Sequence, residues 1–319
     1  MRSLRYHRYG SPEVLRIDEL PEPSPPAGHA KVRIAAAGLN PIDWKLLAGH
    51  VRLIPLFRPP PRGVAFDFAG EIASIGGGAT QRHLGERVMG SLLPFGRDGA
   101  CSDYVIIPYD RMLPLPSEID FVHAAALPIA AGTALQALTD AAGLAAGQRV
   151  LIIGAAGGVG HFAVQIAKHL GAYIVALCSA ANVDFVRGLG ADEAVDYARK
   201  DLTPGEGFDV IFDAASASSF AASRRMLSAY GCYISTSGDL TAALTTSAGA
   251  VIARLTSRQR AIAFTLRNGP PLWRRLLDLV AKGVLRAHVE RTIGIEEVAD
   301  ALQAMSTGHG RGKIVVRLA

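Results

Sequence analysis

Between residues 154 and 160 the chain reads Gly-Ala-Ala-Gly-Gly-Val-Gly, a turn with almost no side chain in it. Such a run lets main-chain N–H groups come within hydrogen-bond distance of an anion, because no Cβ stands in the way. What the run can do depends on its flanks. Ahead of it, Arg149-Val150-Leu151-Ile152-Ile153 is a continuous apolar strand. Behind it, Val159, Phe162, Ala163, Ile166, Ala167 and Leu170 repeat at helical spacing up to Gly171, where a helix would stop. A strand that turns through glycines into a helix is a diphosphate cradle, since the free N–H groups and the helix dipole both favour negative charge. The fingerprint is altered at one position: Ala155 takes the first glycine slot, with Gly157 and Gly160 in the second and third. A tight turn that binds nothing is the alternative reading of the same residues.

The end of the next strand selects the nucleotide. An acid roughly 20 residues past the first glycine would hold the ribose hydroxyls of NAD and repel a 2'-phosphate. None stands there: Tyr173-Ile174-Val175-Ala176-Leu177-Cys178 leads into Ser179, Ala180, Ala181 and Asn182. A hydroxyl and an amide can hydrogen-bond a phosphate, so the expected cofactor is NADPH, with NADH as the alternative. The expected contacts are Ala156, Gly157, Gly158, Val159 and Gly160 at the turn, and Ser179 and Tyr197 at the ribose. Arg187 is a further candidate, although it and Tyr197 suit a surface helix and a strand end equally well.

The elements that must carry these residues follow from the pattern of the whole chain. Its 319 residues exceed one typical domain, and half of them are apolar, enough for a proper core. The first third alternates as strands do, as in Lys31-Val32-Arg33-Ile34-Ala35, broken by turn signals at Gly10-Ser11-Pro12 and in the proline-rich run 55–61. From about residue 120 a long Ala-rich helix is expected, followed by strands near 149–153, 172–177, 209–213 and 231–236 alternating with helices. Alternation of this kind makes a parallel sheet, so the fold class is α/β. Near the end, Pro271, Trp273, Leu276, Leu277 and Val280 with Gly283 as a stop predict an amphipathic helix. A second helix is expected over Ile295–Met305, and Lys313–Leu318 closes the chain as a strand.

Three isolated cysteines and the lack of a signal-peptide pattern point to a reducing cytoplasm, and no apolar run is long enough to cross a bilayer. The net charge of +5 says little about partners. One stretch is locally basic, with Arg254, Arg258, Arg260, Arg267, Arg274, Arg275, Lys282 and Arg286 against a single acid, Asp278. It has few interleaved aromatics and no nucleic-acid motif, so a solvated or subunit-facing surface is the better reading.

With these residues in view the sequence resembles the quinone oxidoreductase and zeta-crystallin branch of the medium-chain dehydrogenase/reductase superfamily. Gly147-Gln148, Leu151, Ala155-Ala156-Gly157-Gly158, Gly160, Gln165 and Lys168 fit the extended signature of that branch. So do Gly38-Leu39-Asn40-Pro41-Ile42-Asp43-Trp44-Lys45, Asp67-Phe68-Ala69-Gly70, Gly85-Glu86-Arg87-Val88, Ala126-Leu127-Pro128, Gly132-Thr133-Ala134 and Gly312-Lys313-Ile314-Val315. The resemblance implies a doubly wound Rossmann domain (residues 120–262) inserted in a GroES-like β-rich catalytic domain (1–119 and 263–319), and a homodimer. It implies that Thr133 holds the nicotinamide end and that Asn40 and Asp43 lie near the substrate pocket, to which Leu92, Leu93, Pro94 and Phe95 would add apolar surface. Two departures stand out. Related sequences often carry Arg or Lys near Ala181, and His161 takes a place usually held by Ser or Thr. The histidine would either hydrogen-bond the diphosphate or cap the turn.

A catalytic zinc is not expected. Where alcohol-oxidising relatives place a cysteine, this chain has Gly38-Leu39-Asn40, and where they place Gly-His-Glu it has Ala65-Phe66-Asp67. Without a Lewis acid, simple alcohols are poor substrates, whereas a quinone or an α,β-unsaturated carbonyl accepts hydride and delocalises the charge. Asn40 is the candidate donor to the developing oxyanion. Lys45 is a candidate proton source if burial lowers its pKa, or a solvent-reaching side chain lying over Trp44, and Asp43 is expected to order its loop. Two other readings stay open: an enoyl-thioester reductase of the same fold, and a non-catalytic NADPH-binding sensor.

Overall fold

The structure, a computed structural model, describes residues 1–319 apart from 53, 55, 79–80, 200–204, 206, 237–257, 309 and 319. From the N-terminus the strands are β1 (Arg2–Tyr6), β2 (Leu15–Glu19), β3 (His29–Gly38), β4 (Arg62–Gly63), β5 (Asp67–Ile75), β6 (Arg87–Ser91), β7 (Tyr104–Pro108) and β8 (Met112–Pro114). Then come β9 (Arg149–Ile153), β10 (Tyr173–Cys178), β11 (Glu193–Asp196), β12 (Phe208–Asp213), β13 (Leu227–Ser235) and β14 (Arg260–Ala263), and finally β15 (Val289–Ile293) and β16 (Lys313–Arg317).

Strand β9 is buried from Val150 to Ile153, on both of its faces, which only a central strand of a covered sheet can be. It lies in the middle of a six-stranded sheet ordered β11-β10-β9-β12-β13-β14, in which every neighbour runs parallel. The four expected strands of this region are present. β11 and β14 were not legible: each is four residues long, and neither Glu-Ala-Val-Asp nor Arg-Ala-Ile-Ala has a strand-like apolar run.

The second large sheet has the order β15-β16-β3-β5-β6-β8, with β7 paired to β3 as a seventh strand. It is built from both ends of the chain, because β16 pairs with β3 as well as with β15. In β3, alternate residues Ala30, Val32 and Ile34 are buried, the half-buried alternation read from the sequence. A small sheet β2-β1-β4 completes this lobe.

Helix α1 (Pro41–Leu47) follows β3 directly. The expected long Ala-rich helix is instead two: α2 (Phe121–Ala125) and α3 (Ala130–Gln136), the latter continuing through a wider turn to Ala142. Pro128 lies in the gap, where a missing N–H and a steric clash with the preceding turn end a helix. Next are α4 (Gly160–His169), α5 (Val183–Gly188), α6 (Phe220–Ser223), α7 (Pro270–Ala281) and α8 (Val298–Ser306). Helix α7 buries Trp273 and Leu276, as its spacing predicts, together with Leu272, while Leu277 and Val280 are partly buried against the same core. One apolar core runs from the six-stranded sheet through α2 and α3 to Ala36, Ala69 and Met89 of the other sheet, so the two sheets share packing where they meet.

Candidate active site

The glycine turn has two different demands for glycine. A Cβ on Gly160 would sit 2.1 Å from the Gly154 carbonyl oxygen and 2.7 Å from the Ala155 Cα, so the close approach of α4 to the turn admits no side chain there. A Cβ on Gly157 would come no nearer than 3.4 Å, to the same Gly154 oxygen, so nothing inside the protein requires its absence. The amides of Gly158 and Val159 find no acceptor among the described residues. An open floor with unused N–H donors at a helix N-terminus fits a nucleotide diphosphate. Ala156, the other residue read from the motif, bonds across to the far lobe, its carbonyl accepting from the Gly312 N–H at 2.8 Å.

His161 works inward. It is fully buried, its Nδ1 stands 2.9 Å from the Gly157 carbonyl oxygen, and its Nε2 accepts from the His288 N–H at 3.3 Å. That pattern fixes the neutral tautomer with the proton on Nδ1. Burial holds its pKa down at about 4, so the ring is an uncharged brace for the turn.

At the end of β10, Ser179 is half-buried and accepts from the Asn182 Nδ2 at 3.1 Å. Tyr197 is 57 % exposed, and its N–H donates to the Cys178 carbonyl, so its main chain stands beside the same strand end. Arg187 is turned to Asp184, 3.8 Å away. Arg311, which the sequence did not single out, comes to this place instead: its Nε donates to Asn182 Oδ1 at 2.7 Å and its terminal nitrogen to the Ala181 carbonyl at 2.8 Å.

Where β3, β5 and β16 end side by side, four polar residues are packed out of water. Asn40 donates through Nδ2 to Asp67 Oδ2 at 3.0 Å and to the Gly38 carbonyl at 3.2 Å, and its Oδ1 accepts from the Lys313 ammonium at 2.6 Å. Lys313 also donates to the Leu39 carbonyl at 2.6 Å. Asp43, one turn into α1, accepts from the Asn40 N–H at 2.7 Å and fixes the entry to that helix. Burial pushes the Asp43 carboxyl up to about 7 and the Asp67 carboxyl up to about 6, while the Lys313 charge pulls both back. Burial in turn lowers the Lys313 pKa, and the two carboxylates oppose that. The lysine stem runs under the glycine turn, since a Cβ on Gly158 would lie 3.5 Å from Lys313 Cδ.

Thr133 is nearly buried on α3, a turn beyond Ile129, whose N–H donates to Asp67. Lys45 lies over the Trp44 ring, 5.7 Å from its centroid. Ile42, Phe57, Phe66, Leu92 and Ile129 form one apolar cluster beside Asp67. Of the loop read as pocket surface, Leu92 joins this cluster, Phe95 stacks edge-on against Phe57, Leu93 is exposed, and the Pro94 carbonyl accepts from Arg62. Asp213 was also missed. Buried at the end of β12, it accepts the N–H groups of Ala215, Ala217 and Ser218 and the Tyr233 hydroxyl, and so shapes the loop facing the glycine turn.

In the basic stretch, Arg260 donates to the Ala142 carbonyl, Arg258 to the Tyr230 hydroxyl, and Arg275 pairs with Asp140 at 3.0 Å; Arg254 lies outside the described residues.

A parallel sheet with a glycine turn, set against a β-rich lobe made from both ends of the chain, is the arrangement of a medium-chain dehydrogenase/reductase. The family pattern of the alcohol dehydrogenase GroES-like domain matches residues 26–117, and that of the zinc-binding dehydrogenases matches residues 189–316. The chain is 33 % identical to the chloroplastic quinone-oxidoreductase homolog of Spinacia oleracea, an alignment covering 99 % of this chain and 98 % of that protein. It is 27 % identical to an NADPH-dependent alkenal/one oxidoreductase of Arabidopsis thaliana, over 99 % of this chain and 79 % of that protein. The solved quinone oxidoreductase of Coxiella burnetii superposes with a TM-score of 0.89 at 28 % identity, covering 100 % and 99 % of the two chains. The chain belongs to the quinone oxidoreductase branch of the medium-chain dehydrogenase/reductase superfamily.

Proposed function

We propose that this protein is a zinc-independent reductase that uses NADPH to reduce quinones or α,β-unsaturated carbonyl compounds. The observation that carries the reading is the glycine turn, open at Gly157 and with free amides at Gly158 and Val159, set directly over a buried polar cluster. The cofactor would lie on Ala156–Gly160, with Ser179 and Tyr197 toward its ribose and Thr133 toward its nicotinamide. When bound it supplies a hydride from C4 of the nicotinamide ring.

The residues of the chain then position, exclude and neutralise. The apolar cluster of Ile42, Phe57, Phe66, Leu92 and Ile129 suits a flat, conjugated acceptor and keeps water from it. Both Asn40 amide hydrogens are committed, to Asp67 and to Gly38, so offering one to a substrate oxyanion requires giving up one of those bonds. We therefore assign Asn40 and Asp43 first to positioning and leave final protonation to water, with Lys45 as the nearest cation of the same helix.

The absence of zinc from this reading is supported by donor chemistry. Gly38-Leu39-Asn40 stands where alcohol-oxidising relatives place a cysteine and Ala65-Phe66-Asp67 where they place Gly-His-Glu, and here Asn40 is bonded both to Asp67 and to a lysine ammonium. A fixed positive charge already meets the carboxylates, and an amide and an ammonium make a poor zinc donor set. We further place the protein in the cytoplasm, as a homodimer, with residues 120–262 as the nucleotide domain. The buried, unpaired Cys101, Cys178 and Cys232 support a reducing compartment. Light scattering reads the subunit count.

The test is NADPH oxidation against a small quinone, an alkyl enone and a crotonyl thioester, repeated with NADH and with a chelator. Turnover with the first two that survives chelation is expected. Preference for the thioester would move the substrate class, loss of activity on chelation would remove the zinc-free reading, and nucleotide binding without turnover would leave a sensor.

A further inference from the structure

The segment that follows β10, from Cys178 to Val186, contains neither Lys nor Arg. A 2'-phosphate bound at Ser179 would therefore find no cation on that segment itself, and Arg187, the next basic residue along it, is turned to Asp184. The other lobe supplies one. Arg311 crosses from the C-terminal segment, and two hydrogen bonds, to Asn182 Oδ1 and the Ala181 carbonyl, pin its guanidinium on this loop. The Phe185 ring lies under it, 5.3 Å from centroid to guanidinium carbon. Asn182 passes the connection on to the Ser179 hydroxyl. Glu290 takes the main-chain N–H of Arg311 at 3.1 Å. A guanidinium has five N–H donors, and these two side-chain bonds use two of them, so a planar, pre-oriented cation with donors to spare stands at the strand end.

We propose that Arg311 is the residue that reads the 2'-phosphate of NADPH, acting from the lobe opposite the strand that binds the ribose. This rests on the NADPH reading above and goes beyond it, because it names the discriminating residue and makes the choice of nucleotide a contact between lobes. Arg311 adjoins Gly312, whose N–H holds the Ala156 carbonyl, so the side chain is anchored beside the diphosphate turn as well.

The test is equilibrium binding by calorimetry, with no turnover required. Wild type, Arg311→Met and Arg311→Lys are titrated with NADPH, NADH, adenosine 2',5'-bisphosphate and AMP. A charge-assisted pair is worth enough that Arg311→Met is expected to lose about 10–100-fold in affinity for the two 2'-phosphorylated ligands. NADH and AMP should stay within about twofold, and Arg311→Lys should fall between, because a point charge replaces a fork. Equal losses for NADPH and NADH would overturn the proposal, leaving Arg311 a tether between lobes, and so would unchanged NADPH binding. Wild type that binds no nucleotide at all would sink the cofactor reading itself, and that result appears before any substitution is made. Thermal melts of both variants confirm that each ligand meets a folded protein.

Discussion

A histidine that faces inward at residue 161 has a measurable signature in acid. Its folded-state pKa of about 4 lies below the usual 6.5, so across that window the unfolded chain takes up a proton that the folded chain refuses. Its contribution is complete above about pH 6.5 and drains away as the pH falls. The stability margin of wild type over His161→Asn should shrink by about 2 kcal/mol between pH 7 and pH 5, read by urea unfolding at both values. An unchanged margin would mean that the ring is not held neutral. Little of this was legible beforehand. The sequence offered two roles for His161, and only the bonds to Gly157 and His288, the latter 127 positions away, choose between them. Lys313 and Arg311 were given no role at the site for the same reason, since their partners are distant in the chain, whereas Asp213 was missed although its main-chain partners follow within five residues. A weak cue existed for two of them: a lysine opening the apolar strand Lys-Ile-Val-Val, and an aspartate closing Phe-Asp-Val-Ile-Phe-Asp, are charges where a covered strand has no room for idle ones.

Elements were legible in proportion to their local punctuation. Strand β9, the turn and α4 were read nearly to the residue, because glycines bracket them. Gly171 ends α4 with φ of +76°, its N–H bonded to the Lys168 carbonyl. Gly171→Ala must adopt a left-handed backbone and press within 3.2 Å of Ala146 Cβ, a cost of about 1 kcal/mol measured as a lowered midpoint in thermal unfolding. A neutral result would show that the helix end relaxes. The short edge strands β11 and β14 lacked such marks, and each owes its strand form to a longer neighbour, β10 or β13. In the Ala-rich stretch the error ran the other way. High helix propensity hid the interruption at Pro128, where the chain must turn to bring the Ile129 N–H onto Asp67.

At the scale of the molecule the two lobes meet over a charge balance of one ammonium against two carboxylates. Lys313 comes from the last strand, Asp67 from the fifth and Asp43 from the first helix, and removal of the cation leaves the acids buried without a counter-charge. Lys313→Met is expected to cost about 3–5 kcal/mol in urea unfolding, with Lys313→Arg recovering part of it. A loss below about 1 kcal/mol would show that the cluster reorganises or takes in water. The composition could place none of this, although the parallel-sheet class and the lobe built from both ends were readable from strand order and from the family likeness.

That lobe also fixes the order in which the chain can mature. Strand β16 lies between β15 and β3, so, while β7 covers residues 29–33 of β3, the 36–38 end of that strand stays open on one edge until residues 313–317 emerge from the ribosome. All six strands of the nucleotide sheet have been synthesised by then. During translation the nascent N-terminal strands must therefore wait, with β3 half-templated, beside a nucleotide sheet already free to form.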